Sequence, residues 1–148
     1  MYSFNEYLFI QITKQINPIK GYNHTHLEKR IMKKKIYILE DNDDLRQLFA
    51  YILEDEHYEV QTFSNIALFN QNLNIPHLYL LDIMLPDGDG LDVCNRIKAD
   101  SKTSSVPVIM MSAHKDIREV KEKCPGVTFI AKPFDIDHLI KSIANEIN

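Results

Sequence analysis

Cysteine is scarce in this sequence. Two occur in 148 residues, Cys94 and Cys124. A disulfide framework needs more of them, closely spaced, in a secreted setting. The expectation is two free thiols in a reducing cytosol, Cys94 in a core and Cys124 in a loop. Glycine and proline are also few, four and six, which excludes collagen-like and low-complexity composition. No run approaches the roughly 18–20 apolar residues of a membrane span. The apolar cluster Tyr7-Leu8-Phe9-Ile10 is too short for a signal-peptide core and has Glu6 in front of it. Basic residues are not in excess. The formal net charge is −4, which argues against a chain built to coat nucleic acid. What is present is apolar content, 45% of residues. That is enough for a real core, and it excludes chain-wide disorder. The expectation is one soluble, cytoplasmic domain with a tail.

Composition shifts near residue 32. Residues 1–31 are rich in Asn, Gln and Lys, with an interrupted apolar pattern broken at Asn17-Pro18. Met32-Lys33-Lys34-Lys35 then leads into a clean strand. The boundaries read as a 1–32 extension, with Met32 an alternative start, and a 33–148 domain.

From Ile36 onward, strand and helix signals alternate. Ile36-Tyr37-Ile38-Leu39 is a continuous apolar run, as in a strand buried on both faces. Asn42 or Asp43 can cap a helix whose apolar residues fall at Leu45, Leu48, Phe49, Ile52 and Leu53. Tyr58–Phe63 alternates like an edge strand. Ser64 is the expected cap of a short helix carrying Ile66, Phe69 and Leu73. Strands follow over 77–81, 106–111 and 127–131. Helices follow over 90–98 and 114–123, and after Asp135, the last with Ile136, Leu139, Ile140, Ile143 and Ile147 facing in. The 114–123 helix has a thin apolar stripe and should be the least stable, because packing supplies most helical stability. Alternation of this kind implies a parallel sheet with helices on both faces. Ligands of such sheets bind outside the carboxyl ends of the strands.

The residues at those ends are chemically informative. Glu40 and Asp41 follow the first strand, Asp82 the third, Ser112 the fourth and Lys132 the fifth. Crowded carboxylates favour a divalent cation, and Mg²⁺ takes one or two of them while keeping waters for substrate oxygens. A carboxylate can also be the nucleophile that forms an aspartyl phosphate. Phosphoryl transfer asks mainly for positioning and charge neutralisation, which a metal and a lysine supply. A serine hydroxyl can donate to a phosphoryl oxygen.

Four segments carry a resemblance. They are Ile38-Leu39-Glu40-Asp41-Asn42-Asp43, Leu81-Asp82-Ile83-Met84-Leu85-Pro86-Asp87-Gly88-Asp89-Gly90, Val108-Ile109-Met110-Met111-Ser112-Ala113 and Phe129-Ile130-Ala131-Lys132-Pro133-Phe134. In order, each at a strand's carboxyl end, they make the stretch from about Lys34 onward resemble the receiver domain of bacterial two-component response regulators. The resemblance implies a flavodoxin-like, doubly wound five-stranded parallel sheet of order 2-1-3-4-5. It implies Asp82 as phosphoacceptor and Mg²⁺ as cofactor, held by Asp41, by Glu40 through water, by Asp82 and by the backbone carbonyl of Met84. It implies Ser112 and Lys132 as phosphoryl contacts, a cis Lys132–Pro133 bond, and Phe129 as the aromatic that moves with Ser112. The implied phosphate source is a sensor histidine kinase or a histidine phosphotransfer protein. The output is an unidentified downstream protein, with a phosphorylation-dependent homodimer among the assemblies it allows. No direct nucleic-acid contact and no membrane insertion are expected.

Two departures stand out. Cys124-Pro125-Gly126-Val127-Thr128 replaces the family's usual turn, and the Ser112–Lys132 segment is a residue or two short. Both count against the usual fourth helix and its paired-charge dimer face. Met84 and His114 occupy the positions that tune water attack on the aspartyl phosphate. Met84 cannot orient a water, which points to slow autodephosphorylation. Asp87, Asp89 and Asp92 read as a turn and helix start rather than a calcium loop. His24 and His26 read as tail residues, and Lys33-Lys34-Lys35 as a solvated lead-in. The chain ends soon after its last helix, so a stand-alone receiver is expected, with a fragment of a larger regulator as the alternative. Rival functions are a phosphate-independent receiver-like interaction module and a small aspartyl-nucleophile phosphohydrolase. The latter usually wants an acid where Met84 stands.

Overall fold

A computed structural model of the chain describes residues 32–113 and 116–148. The readings made for residues 1–31, including His24 and His26, and for His114 lie outside the described residues.

Each apolar run forms a strand and each amphipathic stretch a helix. The order is β1 (Lys35–Leu39), α1 (Asp43–Asp55), β2 (Glu59–Phe63), α2 (Ile66–Asn70), β3 (Leu78–Asp82), a hairpin of β4 (Met84–Leu85) and β5 (Gly88–Asp89), α3 (Gly90–Ala99), β6 (Val108–Ser112), α4 (Ile117–Lys123), β7 (Thr128–Ala131) and α5 (Ile136–Ile147). Five strands make one parallel sheet of order β2-β1-β3-β6-β7. With the hairpin set aside, this is the expected 2-1-3-4-5 order. The central strands β1, β3 and β6 are buried along nearly their whole length. The β2 strand is wet on one face, as an edge strand should be.

The sheet separates two cores. On one face α1 and α5 bury Phe49, Leu53, Leu139 and Ile143 against Ile36, Ile38, Leu80 and Ile109. On the other face α2, α3 and α4 cover Tyr37, Leu39, Tyr79, Leu81 and Met110, with Cys94, Val120 and Cys124 among the buried residues. Each fully buried aliphatic side chain contributes about 2 kcal/mol from area removed from water.

Several expectations need correction. The α2 cap is Asn65, not Ser64, and its side chain accepts from the Leu68 N–H. Asp87, far along the chain, also accepts from the Ile66 and Ala67 N–H groups at 2.9 Å each. That second anchor places the helix start one residue later. Leu73 lies beyond the end of α2 and is 92% exposed. Leu48 and Ile136 sit at the margins of their apolar stripes and are exposed. The doubted fourth helix is present, though short, with Val120 as its buried residue. The two cysteines are not free thiols. Cys94 of α3 and Cys124 at the end of α4 form a disulfide across 30 positions of sequence. Scarcity argued against a framework of bridges but could not speak to a single pair brought together by packing.

Candidate functional site at the carboxyl rim of the sheet

The site is assembled by three turns. In the first, β1 stops at Leu39 and α1 starts after Asn42, whose side chain accepts from the Leu45 N–H at 3.0 Å. Glu40 and Asp41 stand between them. Arg46 holds this turn from within. Its Nη1 donates to the carbonyls of Glu40 at 2.9 Å and Asp41 at 3.3 Å, and its Nη2 pairs with Asp43. Arg46 was not singled out in the sequence. The available signal was a lone cation near a helix N-terminus, where the helix dipole disfavours positive charge.

In the second turn, Asp82 ends β3 and is 6% exposed. Its Oδ1 accepts from the Met84 N–H at 3.4 Å. The chain then makes the hairpin and enters α3 at Gly90, whose N–H donates to the Ile83 carbonyl at 2.7 Å. A Cβ on Gly90 would stand 2.0 Å from the Asp82 carbonyl oxygen. Only glycine allows α3 to begin so close to the acid-bearing strand.

In the third turn, Ser112 ends β6, buried and in register with Ala131 of β7. The Lys132 N–H donates to the Ser112 carbonyl at 2.9 Å, and the Lys132–Pro133 bond is cis, as expected. Lys132 Nζ then reaches across the rim, 2.7 Å from Glu40 Oε2 and 3.1 Å from Asp82 Oδ2.

Glu40, Asp41 and Asp82 each place a carboxylate oxygen within 4.8 Å of the others. Glu40 and Asp82 are buried and Asp41 is exposed. Glu40 Oε1 also accepts from the Asn42 N–H. Burial pushes the Glu40 carboxyl above its ordinary range, and the charge of Asp82 adds to this, while Lys132 and the Asn42 N–H pull the other way. For Lys132, burial disfavours the ammonium, yet its hydrogen bond to Glu40 and the charges of Asp82 and Glu40 prevail and raise it. Three carboxylates facing one ammonium leave the rim negative.

Those residues fit a hard divalent cation. The donors are oxygens, one acid is open to solvent, and the local charge is negative. Met84, whose carbonyl was the further expected ligand, lies on the hairpin beside Asp82 and is 54% exposed. Phe129 is half-buried on β7, in register with Met110, and packs against the core that holds the disulfide. The sequence-predicted acids and lysine thus share one rim, with Ser112 and Phe129 on the strands that carry it.

A family model described as the response regulator receiver domain matches residues 36–144. Curated proteins similar to this chain include transcriptional regulatory proteins and a histidine kinase. The Bacillus subtilis protein CssR is 40% identical over 106 residues, covering 70% of this chain and 46% of that protein. The phosphate regulon regulator PhoB of Rhizobium meliloti is 32% identical, covering 76% of this chain and 51% of that protein. The chain spans about half the length of the curated relatives it matches. Among solved structures, NtrX from Brucella abortus is 32% identical with a TM-score of 0.65, covering 78% of this chain and 27% of that one. The signal receiver domain of a histidine kinase from Syntrophus aciditrophicus is 25% identical with a TM-score of 0.70, covering 77% of this chain and 89% of that one.

Proposed function

This chain belongs to the response regulator receiver domain family, and we propose that it takes a phosphoryl group from a phosphohistidine onto Asp82 within a two-component signalling system. The observation that carries this reading is the meeting of Glu40, Asp41, Asp82 and Lys132 on one rim. A carboxylate oxygen of Asp82 attacks phosphorus, the phosphorus–nitrogen bond of the donor breaks, and its imidazole leaves with the electron pair. Lys132 stands beside the acceptor oxygen and neutralises charge that builds on the phosphoryl group. Ser112 donates its hydroxyl to a phosphoryl oxygen, and Phe129 follows that movement as the switch. Glu40, Asp41, Asp82 and the Met84 carbonyl would hold Mg²⁺, which supplies further charge neutralisation when bound.

The partner is a sensor histidine kinase or a histidine phosphotransfer protein, and phosphate shifts a pre-existing equilibrium toward a form that binds a downstream protein. The receiver is the unit 33–148, with 1–32 an extension, and the protein acts in the cytoplasm. Its chemistry is confined to its own phosphorylation and slow autodephosphorylation. The exposed thioether of Met84 offers no hydrogen bond to orient an attacking water.

The test is intact mass after incubation with a small phosphodonor and Mg²⁺. The wild type should gain one phosphoryl group, and Asp82→Asn should gain none. An unchanged wild-type mass removes this reading. A gain that leaves partner affinity unaltered favours a phosphate-independent interaction module. Repeated turnover of a phosphate ester favours a phosphohydrolase.

A further inference from the structure

The Cys94–Cys124 bridge joins two elements of unequal hold. Cys94 lies within α3, fully buried beside Leu91, Val93 and Ile97. Cys124 caps α4, a helix of seven residues whose buried member is Val120. The loop closed by the bridge contains β6, and so Ser112. Both cysteines belong to the core against which Phe129 packs. A cross-link here removes freedom from a weakly anchored helix and from the surroundings of the switch aromatic. Disulfides in a reducing compartment are characteristically transient, catalytic or redox-sensing.

We propose that Cys94 and Cys124 form a reversible redox site, reduced by a dithiol and re-formed by a disulfide donor, whose state sets the freedom of α4 and thereby the ease with which Asp82 takes phosphate. The coupling to Asp82 rests on the phosphoacceptor reading. The redox site does not.

Access runs through Cys124. It is buried, but its neighbours Lys123 and Pro125 are exposed. Gly126 follows at φ +78°, with open space where a Cβ would stand, so the turn after Cys124 is uncrowded on that side. Local opening of α4 therefore presents the Cys124 sulfur, while Cys94 stays inside α3. A thiolate of the reductant attacks Cys124 Sγ, the sulfur–sulfur bond breaks, and Cys94 leaves as a thiolate and takes a proton. The second thiol of the reductant then attacks the mixed disulfide and releases Cys124 as a thiol. Two electrons and two protons pass to the chain, and the reductant leaves as its own disulfide. A low-molecular-weight or protein disulfide reverses the sequence.

Oxidation ties α4 to α3 and resists the displacement of α4 that a phosphoryl group on Asp82 brings, so it favours the unphosphorylated form. Reduction removes that bias. By linkage, a phosphoryl mimic on Asp82 should in turn make the bridge easier to reduce.

The test uses the full wild-type chain, oxidised with oxidised glutathione or reduced with dithiothreitol. Alkylation after unfolding should modify neither cysteine in the first form and both in the second. Amide hydrogen exchange across Ile117–Gly126 should be at least about tenfold faster in the reduced chain, with α1 and α5 unchanged. Beryllofluoride with Mg²⁺ should bind the reduced chain about threefold more tightly. Cysteines that stay alkylatable after oxidant treatment overturn the proposal, as does unchanged exchange in α4. Equal beryllofluoride affinity with faster exchange overturns it too, because the coupling is then absent. If beryllofluoride binds neither form, the phosphoacceptor reading has failed, and the exchange comparison alone judges the redox site.

Discussion

The two faces of the sheet are built differently. One is covered by α1 and α5, of 13 and 12 residues, which bury Phe49, Leu53, Leu139, Ile143 and Ile147. The other is covered by helices of five, ten and seven residues. There α2 buries none of its residues fully and α4 buries Val120 alone. Long helices with several anchors open only at a cost near that of global unfolding, whereas short ones with one anchor open locally. The acidic rim lies where the two faces meet. It therefore has a fixed side, which carries Glu40 and Asp41 into α1, and a yielding side, which carries Ser112 toward α4. The phosphoacceptor reading asks for both, a rigid place to accept a group and a loose element to report it. The cross-link falls on the yielding side, where a covalent constraint changes most.

The largest effect is expected on the fixed face. Leu53→Ala should cost about 4 kcal/mol, through lost burial and the cavity left behind. Urea denaturation would measure it. A loss no greater than that of a surface substitution would mean that α1 is not the anchor it looks to be. Next comes the rim. Lys132→Ala leaves Glu40 buried with its principal counter-charge gone and should cost about 3 kcal/mol, with Mg²⁺ recovering part of the loss. On the yielding face Val120→Ala should cost only about 1.5 kcal/mol globally. Its hydrogen exchange should rise in α4 and leave α5 unaltered. Equal acceleration in α5 would erase the distinction between the faces.

The smallest effect is a slope with pH. The Glu40 carboxyl is raised above its unfolded value of 4.5 by burial. The folded chain therefore holds its proton longer than the unfolded chain does. That contribution to stability is present below pH 4.5 and is lost as pH rises through the folded value. Without metal, Glu40→Gln should flatten the fall in urea midpoint across this window. Parallel curves for the two proteins would show that burial does not raise the Glu40 carboxyl.

Much of the site was legible because strand ends are legible. Apolar runs at Ile36–Leu39 and Val108–Met111 mark buried strands, and in a parallel sheet their carboxyl ends share one rim. Glu40, Asp82 and Ser112 could thus be placed together without coordinates. Other features rest on contacts across long stretches of chain. Asp87 reaches back to the start of α2, and nothing local at Ser64 or Asn65 distinguishes the two as caps. Gly90 reads as an ordinary helix start until the Asp82 carbonyl is seen against it. Arg46 points toward the turn it holds only once α1 is built. The disulfide was read wrongly because residue counts inform on frameworks, while a single pair depends on α3 and α4 packing side by side. The exposure of Leu48 and Ile136 shows the same limit, since a stripe's margin is decided by the neighbouring element.

Chemical trapping locates the phosphoryl group itself. The chain is incubated with acetyl phosphate and Mg²⁺, the acyl phosphate is reduced with borohydride, and the modified residue is found by peptide mass spectrometry. The modification should fall on Asp82, appear only in the folded chain, and vanish when the metal is chelated. Trapping at another carboxylate, or none in a folded chain supplied with Mg²⁺, would contradict the role given to Asp82.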